Sequence, residues 1–322
     1  MEIAALSQKI YSQIKKANRL LIVCHQQPDA DALGSMAAIS QWLDFLGKTQ
    51  VCYCQDLPPL NLAWILNFKP LTVTPDEVIK DNFDAVIILD SSDLKYAGVE
   101  KILPGLTNKP VIINIDHHAT NNHFGDLNLV NPVAVSTTEI VYHLFKNLGV
   151  KLTGQMASAL LAGIIYDTYN FTNPNTSYQS LETASDLLLA GASIAKVSDS
   201  ILKNKTIDTL KSWGEILTKL HYNPAFDIAT AVITEKDVIG NAKDSEITEG
   251  VANFLNNLTG VKAVLILQQL DAETIKGSWR TNDDLIDVSK LAKLLGGGGH
   301  KKAAGFKLKG RLQETQSGWQ IV

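Results

Sequence analysis

The amino-acid sequence predicts an α/β protein whose N-terminal domain is built on a doubly wound, mainly parallel sheet. Short runs that are almost entirely apolar recur through the first two thirds of the chain, as expected of strands buried on both faces of a parallel sheet. Helical patterns separate these runs, so that strand and helix alternate along the chain. The 322 residues also suffice for a second domain, at about 150 residues per domain.

Four apolar runs are the predicted strands of this sheet: Leu20–Cys24, Gln50–Cys54, Ala85–Leu89 and Val111–Ile115. Helical patterns lie between and after them. The predicted helices are Leu33–Leu46, a helix from the capping box Ser136–Glu139 to Gly149, and a helix from Thr153 to about Asp167. This order is that of a βαβ arrangement.

The remainder of the chain predicts a helical linker and a smaller C-terminal α/β domain. The pattern is helical from Ser180 to Leu220, with a break at residues 191–193. Strand patterns and one capped helix follow, at Ile228–Thr234, Val261–Gln269, Thr274–Arg280 and from Asp287 to Gly296. We therefore place the first domain at residues 1–190, the linker at 191–222 and the second domain at 223–322.

The composition is that of an ordinary globular protein and excludes several classes. Apolar residues make up 45% and charged residues 19%, with a net charge of −4, which excludes a disordered chain and a highly basic protein that coats nucleic acid. No apolar run approaches the ~18 residues of a membrane span. No secretory signal is visible, and three cysteines without a framework fit a reducing compartment, so we expect a cytoplasmic protein.

The segment from His25 to Ser35 directly follows the first predicted strand and carries the pattern HxxPDxD. One histidine with Asp29 and Asp31 within seven residues favours a metal site over the alternative, the N-cap region of a helix, where aspartate is also common. Ser35 is expected in the first turn of the following helix, where free N–H groups bind phosphate.

Three further segments place acids or histidines at the ends of predicted elements. Asp90 closes the third predicted strand, the Asp116–His118 run follows the fourth, and Asp167 ends the last predicted helix. Taken alone, Asp90 is as compatible with a cap or a turn as with a metal site. Taken alone, Asp167 is compatible with a solvated helix end, although an acid at the C-terminus of a helix is opposed by the helix dipole. Adjacent histidines at an exposed rim favour metal binding, because imidazole is a common ligand of divalent metals.

Together these segments supply enough oxygen and imidazole donors for two metal ions that share one carboxylate. This donor set favours Mn²⁺ or Mg²⁺, with Zn²⁺, Co²⁺ or Fe²⁺ as alternatives. Two ions ~3.5–4 Å apart can stabilise both the attacking and the leaving oxygen of a phosphoryl transfer. We therefore expect two divalent cofactor ions, with Mn²⁺ preferred.

The second domain contributes a run of four glycines, Gly296–Gly299, followed by His300, Lys301 and Lys302. Glycines expose backbone N–H groups to an anion, and the basic residues favour a phosphate-binding loop over a flexible loop at a helix end. Arg280 ends a predicted strand and can bind a phosphate through two hydrogen bonds. Either basic group is equally compatible with a plain surface charge.

These motifs resemble the DHH phosphoesterase superfamily, and within it the compact bacterial NrnA-type members. The resemblance rests on HxxPDxDxxGS at residues 25–35, Asp90, the Asp116–His118 run, Asp167 and the GGGGH motif at residues 296–300. It implies a DHH domain that binds metal and a DHH-associated domain that binds substrate.

The resemblance also implies roles for individual residues. One metal is held by His25, Asp29 and Asp90, and the other by Asp31, Asp90, His117 and Asp167. Besides Asp90, the catalytic residues are His118, which contacts the scissile phosphate, and Asp116, which supports the site from behind. The residues that bind the terminal nucleotide or phosphate are Ser35, Arg280, Gly297, Gly298, Gly299 and His300.

The function expected from the resemblance is hydrolysis, by metal-activated water, of short RNA or DNA oligonucleotides, linear dinucleotides such as pApA, or adenosine 3′,5′-bisphosphate. The alternatives are a RecJ-like single-strand exonuclease, which usually carries an extra binding domain, and a cyclic-dinucleotide phosphodiesterase. An inorganic pyrophosphatase of this superfamily lacks the GGGGH motif, and a nucleotide-binding sensor would not need every ligand. We expect no membrane partner, and a homodimer is compatible with the sequence.

Overall fold

The computed structural model describes residues 2–66, 70–202, 205–240, 244–299, 301–315 and 318–322. The chain divides into two compact units, Met1–Asn204 and Lys205–Val322. The division falls inside the predicted linker, whose own bounds stay a prediction. Within the described ranges, no helix combines the length and apolarity that crossing a bilayer requires.

The first unit contains a six-stranded sheet in which every neighbouring pair of strands is parallel. Its strands are β1 (Arg19–Cys24), β2 (Thr49–Tyr53), β3 (Leu71–Thr72), β4 (Ala85–Leu89), β5 (Val111–Asp116) and β6 (Leu127–Val130). Their order across the sheet is β3-β2-β1-β4-β5-β6. The four predicted strands are all present, which confirms the fold class; the two edge strands are short and were not predicted.

Seven helices are described in the first unit. They are α1 (Glu2–Lys16), α2 (Ala30–Phe45), α3 (Pro75–Ile79), α4 (Thr137–Leu148), α5 (Gly154–Asp167), α6 (Tyr178–Leu189) and α7 (Ile194–Ile201). Both ends of α4 lie where predicted: Ser136 accepts a hydrogen bond from the Glu139 amide, and Gly149 ends the helix in the left-handed conformation with φ of 68°. The predicted capping box is half formed, because the Glu139 carboxylate accepts from the Val135 amide. Helix α2 begins three residues earlier than predicted, because Asp29 rather than a later residue caps it.

Alternate residues of the central strands face two separate apolar cores. In β1, Leu20 and Ile22 face the core shared with α2, α4 and α5, whereas Leu21 and Val23 face the core on the other side of the sheet. This alternation is the side-chain period of a strand, here apolar on both faces as in doubly wound folds. Burial of both faces fixes the register of the strands, and with it the position of the residues that follow each strand.

The second unit contains a six-stranded sheet of order β11-β12-β10-β9-β8-β7. Among the described strands of this sheet, β8 and β9 are the one parallel pair. The strands are β7 (His221–Asn223), β8 (Ile228–Ile233), β9 (Ala263–Gln269), β10 (Thr274–Arg280), β11 (Gly298–Gly299) and β12 (Ala303–Lys309), with a separate hairpin of β13 (Leu312–Thr315) and β14 (Gly318–Ile321). The helices are α8 (Ile207–Thr218), α9 (Asp244–Leu255) and α10 (Val288–Leu294).

Candidate metal centre

The predicted metal ligands lie together at the carboxyl edge of the first sheet. His25 follows β1, Asp90 follows β4, and His117 follows β5, and these three strands are neighbours in the sheet. The carboxyl ends of parallel strands meet at one edge, which is where open α/β sheets bind ligands. Asp29 and Asp31 join them from the start of α2, and Asp167 from the end of α5, to complete the predicted set.

Asp90 lies between two histidines and turns one carboxylate oxygen toward each. Its Oδ2 is 3.3 Å from His25 Nε2, and its Oδ1 is 3.6 Å from His117 Nε2. His25 Nε2 is also 3.7 Å from Asp29 Oδ2, and His117 Nε2 is 3.5 Å from Asp167 Oδ2. Asp90 therefore joins the His25–Asp29 side of the cluster to the His117–Asp167 side.

The donor atoms form three groups that are each compact enough to hold a metal ion. Within each group all the donor atoms lie within 4.8 Å of one another. The groups are His25, Asp29 and Asp90; Asp31, His117 and Asp167; and Asp90, His117 and His118. The first group is one of the two ligand sets that the sequence implies, and the second contains three of the four residues of the other set, without Asp90.

The backbone at Asp90 adopts the left-handed conformation, with φ of 57°. A left-handed conformation is strained for residues with a side chain, although Asp and Asn tolerate it better than most. The Asp90 amide donates to the Ile115 carbonyl at 3.0 Å, and Thr137 Oγ1 donates to Asp90 Oδ1 at 2.9 Å. Such strain persists where the surrounding structure imposes it, which is common at functional sites.

The carboxylates of this cluster lie close enough to repel one another. Burial and the charges of neighbouring carboxylates raise the pKa of Asp31 and of Asp167 well above the usual range. Burial alone would raise the pKa of Asp90, but the hydrogen bond and charge of His25 have a larger effect and hold this pKa below its usual value. A divalent cation would offset this repulsion, and oxygen and imidazole are the donors that such ions take. The residues present therefore fit a divalent metal ion.

Asp116 belongs to none of these donor groups, and it supports His118. Its Oδ1 accepts hydrogen bonds from the His117 amide at 2.9 Å and from His118 Nδ1 at 2.7 Å, and its Oδ2 accepts one from Asn121 Nδ2 at 2.7 Å. Burial alone would lower the pKa of His118, but the hydrogen bond to Asp116 and the charge of Asp90 raise this pKa to about 9. His118 thus presents a cation beside the candidate metal ligands.

Four residues outside the predicted set contact the candidate ligands. Thr137 and Thr138 open α4 and bond to the carboxylates of Asp31 and Asp90. Gly163 lies against the same group: a Cβ there would be 2.5 Å from Asp31 Oδ1. The Tyr96 ring stacks on His25, with ring centroids 4.9 Å apart and 14° between the planes. The capping box marked where α4 begins, but no sequence signal indicated which carboxylates it faces.

The predicted placement of Ser35 is wrong. Because α2 begins at Ala30, Ser35 lies in the second turn, beyond the N–H groups that a helix start leaves free. Its side chain is fully buried, and its hydroxyl has no hydrogen-bond partner among the described residues. The structure therefore does not bring this hydroxyl to the surface of the site.

The glycine run does not form the predicted row of four free N–H groups. Gly296 is left-handed, with φ of 75°, and its amide donates to the Lys293 carbonyl at 3.1 Å. The Gly297 amide donates to the Ala292 carbonyl at 2.8 Å, which completes a Schellman motif at the end of α10. Gly298 and Gly299 form β11 and pair with β12. The alternative interpretation, a loop at a helix end, is therefore correct for the first two glycines.

The basic residues of the predicted phosphate-binding loop lie at one end of the second sheet. Arg280 is opposite Ala303 in β12, and Gly299 is opposite Ala304 on the other side of the same strand. Lys301 Nζ donates to the Asp284 carbonyl and Lys302 Nζ forms an ion pair with the Asp284 carboxylate, both at 2.7 Å. The two lysines are thus engaged with a neighbouring loop, and His300 lies outside the described residues.

The sequence of this chain is similar to known protein families and to a curated relative. A family model described as "DHH family, N-terminal domain" matches residues 19–164, and one described as "DHHA1 domain" matches residues 228–317. A protein named "Bifunctional oligoribonuclease and PAP phosphatase NrnA" from Thermus thermophilus is 30% identical over 304 residues, which cover 94% of this chain and 88% of the relative.

Solved structures share the fold. The crystal structure of an exopolyphosphatase-related protein from Bacteroides fragilis matches with a TM-score of 0.84 at 23% identity, and covers 94% of this chain and 90% of the other. The crystal structure of RecJ in complex with Mn²⁺ from Thermus thermophilus matches with a TM-score of 0.56 at 17% identity, over 95% of this chain and 52% of the other. Both are similar in fold to the present chain.

Proposed function

The chain belongs to the DHH family, and on this premise we propose that it is a phosphoesterase that depends on two divalent metal ions and hydrolyses short nucleotide substrates. The observation that carries the proposal is the position of Asp90 between His25 and His117, with a carboxylate oxygen turned toward each. A carboxylate in that position would serve as a ligand to both ions, and two neighbouring ions are what two-metal phosphoryl transfer uses.

We propose that the ions are held by the two groups of ligands that adjoin at Asp90. The first consists of His25, Asp29 and Asp90, and the second of Asp31, Asp90, His117 and Asp167. When bound, two such ions activate water and offset the charge that develops on the transferred phosphoryl group. The mixture of carboxylate and imidazole donors favours Mn²⁺, and the RecJ structure of similar fold is a Mn²⁺ complex.

His118 is proposed to bind the scissile phosphate. Its hydrogen bond to Asp116 keeps the imidazole protonated and fixes its orientation, so that it presents a positive charge without a cost of reorganisation during the reaction. Asp116 is itself held by Asn121 and by the His117 amide, and it is therefore a positioning residue rather than a ligand.

The proposed substrates are short RNA, linear dinucleotides such as pApA, and adenosine 3′,5′-bisphosphate. The similar Thermus relative is named for oligoribonuclease and PAP phosphatase activities. The net charge of −4 also suits a substrate of a few phosphates better than a long polymer, because binding a polymer needs many basic contacts.

A substrate panel tests this proposal directly. Short RNA, pApA, the bisphosphate, cyclic dinucleotides, long single-stranded DNA and pyrophosphate are each incubated with the protein and Mn²⁺. We expect hydrolysis of the first three and its loss when EDTA removes the ions. Hydrolysis that is fastest on long single-stranded DNA, on cyclic dinucleotides or on pyrophosphate, or that persists in EDTA, contradicts the proposal.

Arg280 is proposed to bind a phosphate of the substrate, so the R280Q variant is expected to raise KM by about 10–100-fold and to change kcat less. A charge-assisted hydrogen bond contributes about 1.5–3 kcal/mol, and contacts made equally in the ground and transition states act on KM. Steady-state kinetics with pApA measures both constants. R311Q, an exposed arginine of the same unit, is the matched control. A KM equal to that of the control contradicts the role of Arg280.

A further inference from the structure

The first turn of α4 contacts two candidate ligands that come from different elements. The Thr137 amide donates to Asp31 Oδ2 at 2.6 Å, and the Thr138 amide and hydroxyl donate to Asp31 Oδ1 at 2.8 Å and 2.7 Å. The Thr137 hydroxyl donates to Asp90 Oδ1 at 2.9 Å. Asp31 belongs to α2 and Asp90 follows β4, so one turn of helix sets the relative position of both carboxylates.

The hydroxyl of Thr137 is not needed to cap its own helix. Ser136 is the N-cap residue, and its Oγ accepts the hydrogen bond from the Glu139 amide. The Thr137 hydroxyl bonds instead to Asp90, 47 residues away in sequence. The bond to Asp90 adds nothing to the capping of α4, because Ser136 already provides the cap. This contact therefore concerns the site and not the helix.

The hydroxyl of Thr138 is held in one orientation. The Thr138 hydroxyl donates its one hydrogen to Asp31 Oδ1 at 2.7 Å. Its 2.8 Å contact with Ser136 Oγ is then one in which Ser136 donates. The chain of hydroxyl groups thus runs in one direction, from Ser136 through Thr138 to Asp31, and all three side chains are fully buried.

The helix start also offsets charge. Unpaired amides give the first turn of a helix a partial positive charge of about half a unit, which favours a carboxylate placed there. The Asp31 carboxylate lies at the start of α4 and also close to other carboxylates. The partial positive charge of the helix start therefore offsets part of the repulsion between Asp31 and these carboxylates. Fixed donors on both oxygens of Asp31 allow it to stay buried and oriented.

We propose that Thr137 and Thr138 are positioning residues that hold Asp90 and Asp31 in the geometry that receives the metal ions. The inference rests on the proposed function in taking these two carboxylates as ligands. Partners that orient metal ligands typically change metal affinity by about 10–100-fold when they are removed. The hydroxyl of Thr137 provides the clearer test, because its only hydrogen bond among the described residues is to a proposed ligand.

The test measures Mn²⁺ binding to the EDTA-treated, dialysed full-length protein by titration calorimetry, without any substrate. T137V keeps nearly the shape of threonine but replaces its hydroxyl with a methyl group, and we expect its Mn²⁺ affinity to fall by about 10–100-fold. T137S restores the hydroxyl and is expected to bind within about threefold of the wild type. T138V, which removes one of three bonds to Asp31, is expected to fall between the two.

A control separates positioning from a general loss of stability. T153V removes the N-cap of α5 and a hydroxyl bonded to Gln41, and it is expected to lower the melting temperature while leaving Mn²⁺ affinity unchanged. If T137V binds Mn²⁺ as tightly as the wild type, or if T153V weakens binding equally, the positioning role is overturned. If T137V weakens binding but the wild type hydrolyses no member of the substrate panel, the proposed function fails and the positioning role stands.

Discussion

The D90N variant is expected to lose more than about 100-fold in the rate of pApA hydrolysis, which exceeds the usual effect of residues that only orient ligands. Each oxygen of Asp90 faces a different histidine, so the change affects both proposed ions. Asparagine keeps the size of the side chain but removes its charge, and its amide nitrogen cannot act as a ligand. Hydrolysis at saturating Mn²⁺, with calorimetric Mn²⁺ stoichiometry, measures the effect.

Asparagine is the better substitution here because of the backbone. Position 90 has a φ of 57°, which asparagine tolerates and alanine does not, so D90N separates the loss of a ligand from strain. D93N, in the same loop, is the matched control and is expected to hydrolyse pApA at close to the wild-type rate. D90N protein that binds two Mn²⁺ ions and retains a tenth or more of the wild-type rate would refute the shared-carboxylate scheme.

The G163A variant is expected to be less stable than the wild type by about 1–3 kcal/mol and to bind Mn²⁺ at least about tenfold more weakly. A Cβ at this position would be 2.5 Å from Asp31 Oδ1 and 2.6 Å from Thr138 Cγ2, and it would overlap Thr138 Oγ1 as well. Thr138 Oγ1 and Asp31 Oδ1 are hydrogen-bonded to each other, so they cannot move apart to admit a Cβ without breaking this bond. Thermal unfolding and Mn²⁺ titration measure the two effects.

Gly214 provides the matched control for this substitution. It lies inside α8, it is exposed, and a Cβ there would meet no atom within 4 Å. G214A is therefore expected to raise stability by roughly 0.5–1 kcal/mol, the ordinary gain of alanine over glycine in a helix. The same change of residue thus has opposite signs at the two positions. G163A protein as stable as G214A, with wild-type Mn²⁺ affinity, would contradict the close packing described here.

The sequence predicted the central strands and the candidate ligands because both depend on local patterns. An apolar run such as Ala85–Leu89 identifies a strand by itself, and a parallel sheet then brings residues that follow its neighbouring strands to one edge. Asp90 and His117 could therefore be placed together without any knowledge of the packing. The edge strands β3 and β6 escaped prediction because they are short and only partly buried.

Contacts between distant helices could not be predicted in this way. Asp31 and Thr138 are 107 residues apart, and their bond depends on how α2 and α4 pack. Ser35 was misplaced because the position of the helix start depends on which of several residues caps it, and Asp29 does so. The glycine run was misassigned because two of its amides bond to α10 and the next two glycines join a strand that was not predicted.

The bonds of Asp31 to α4 have a thermodynamic consequence. The start of α2, the first turn of α4 and Gly163 of α5 meet at this one buried carboxylate. Local opening of these helices therefore breaks the proposed ligand set, and an intact ligand set keeps the helices closed. An ion held there would bind only while α2, α4 and α5 are packed together, so it would lower the population of locally opened states by mass action.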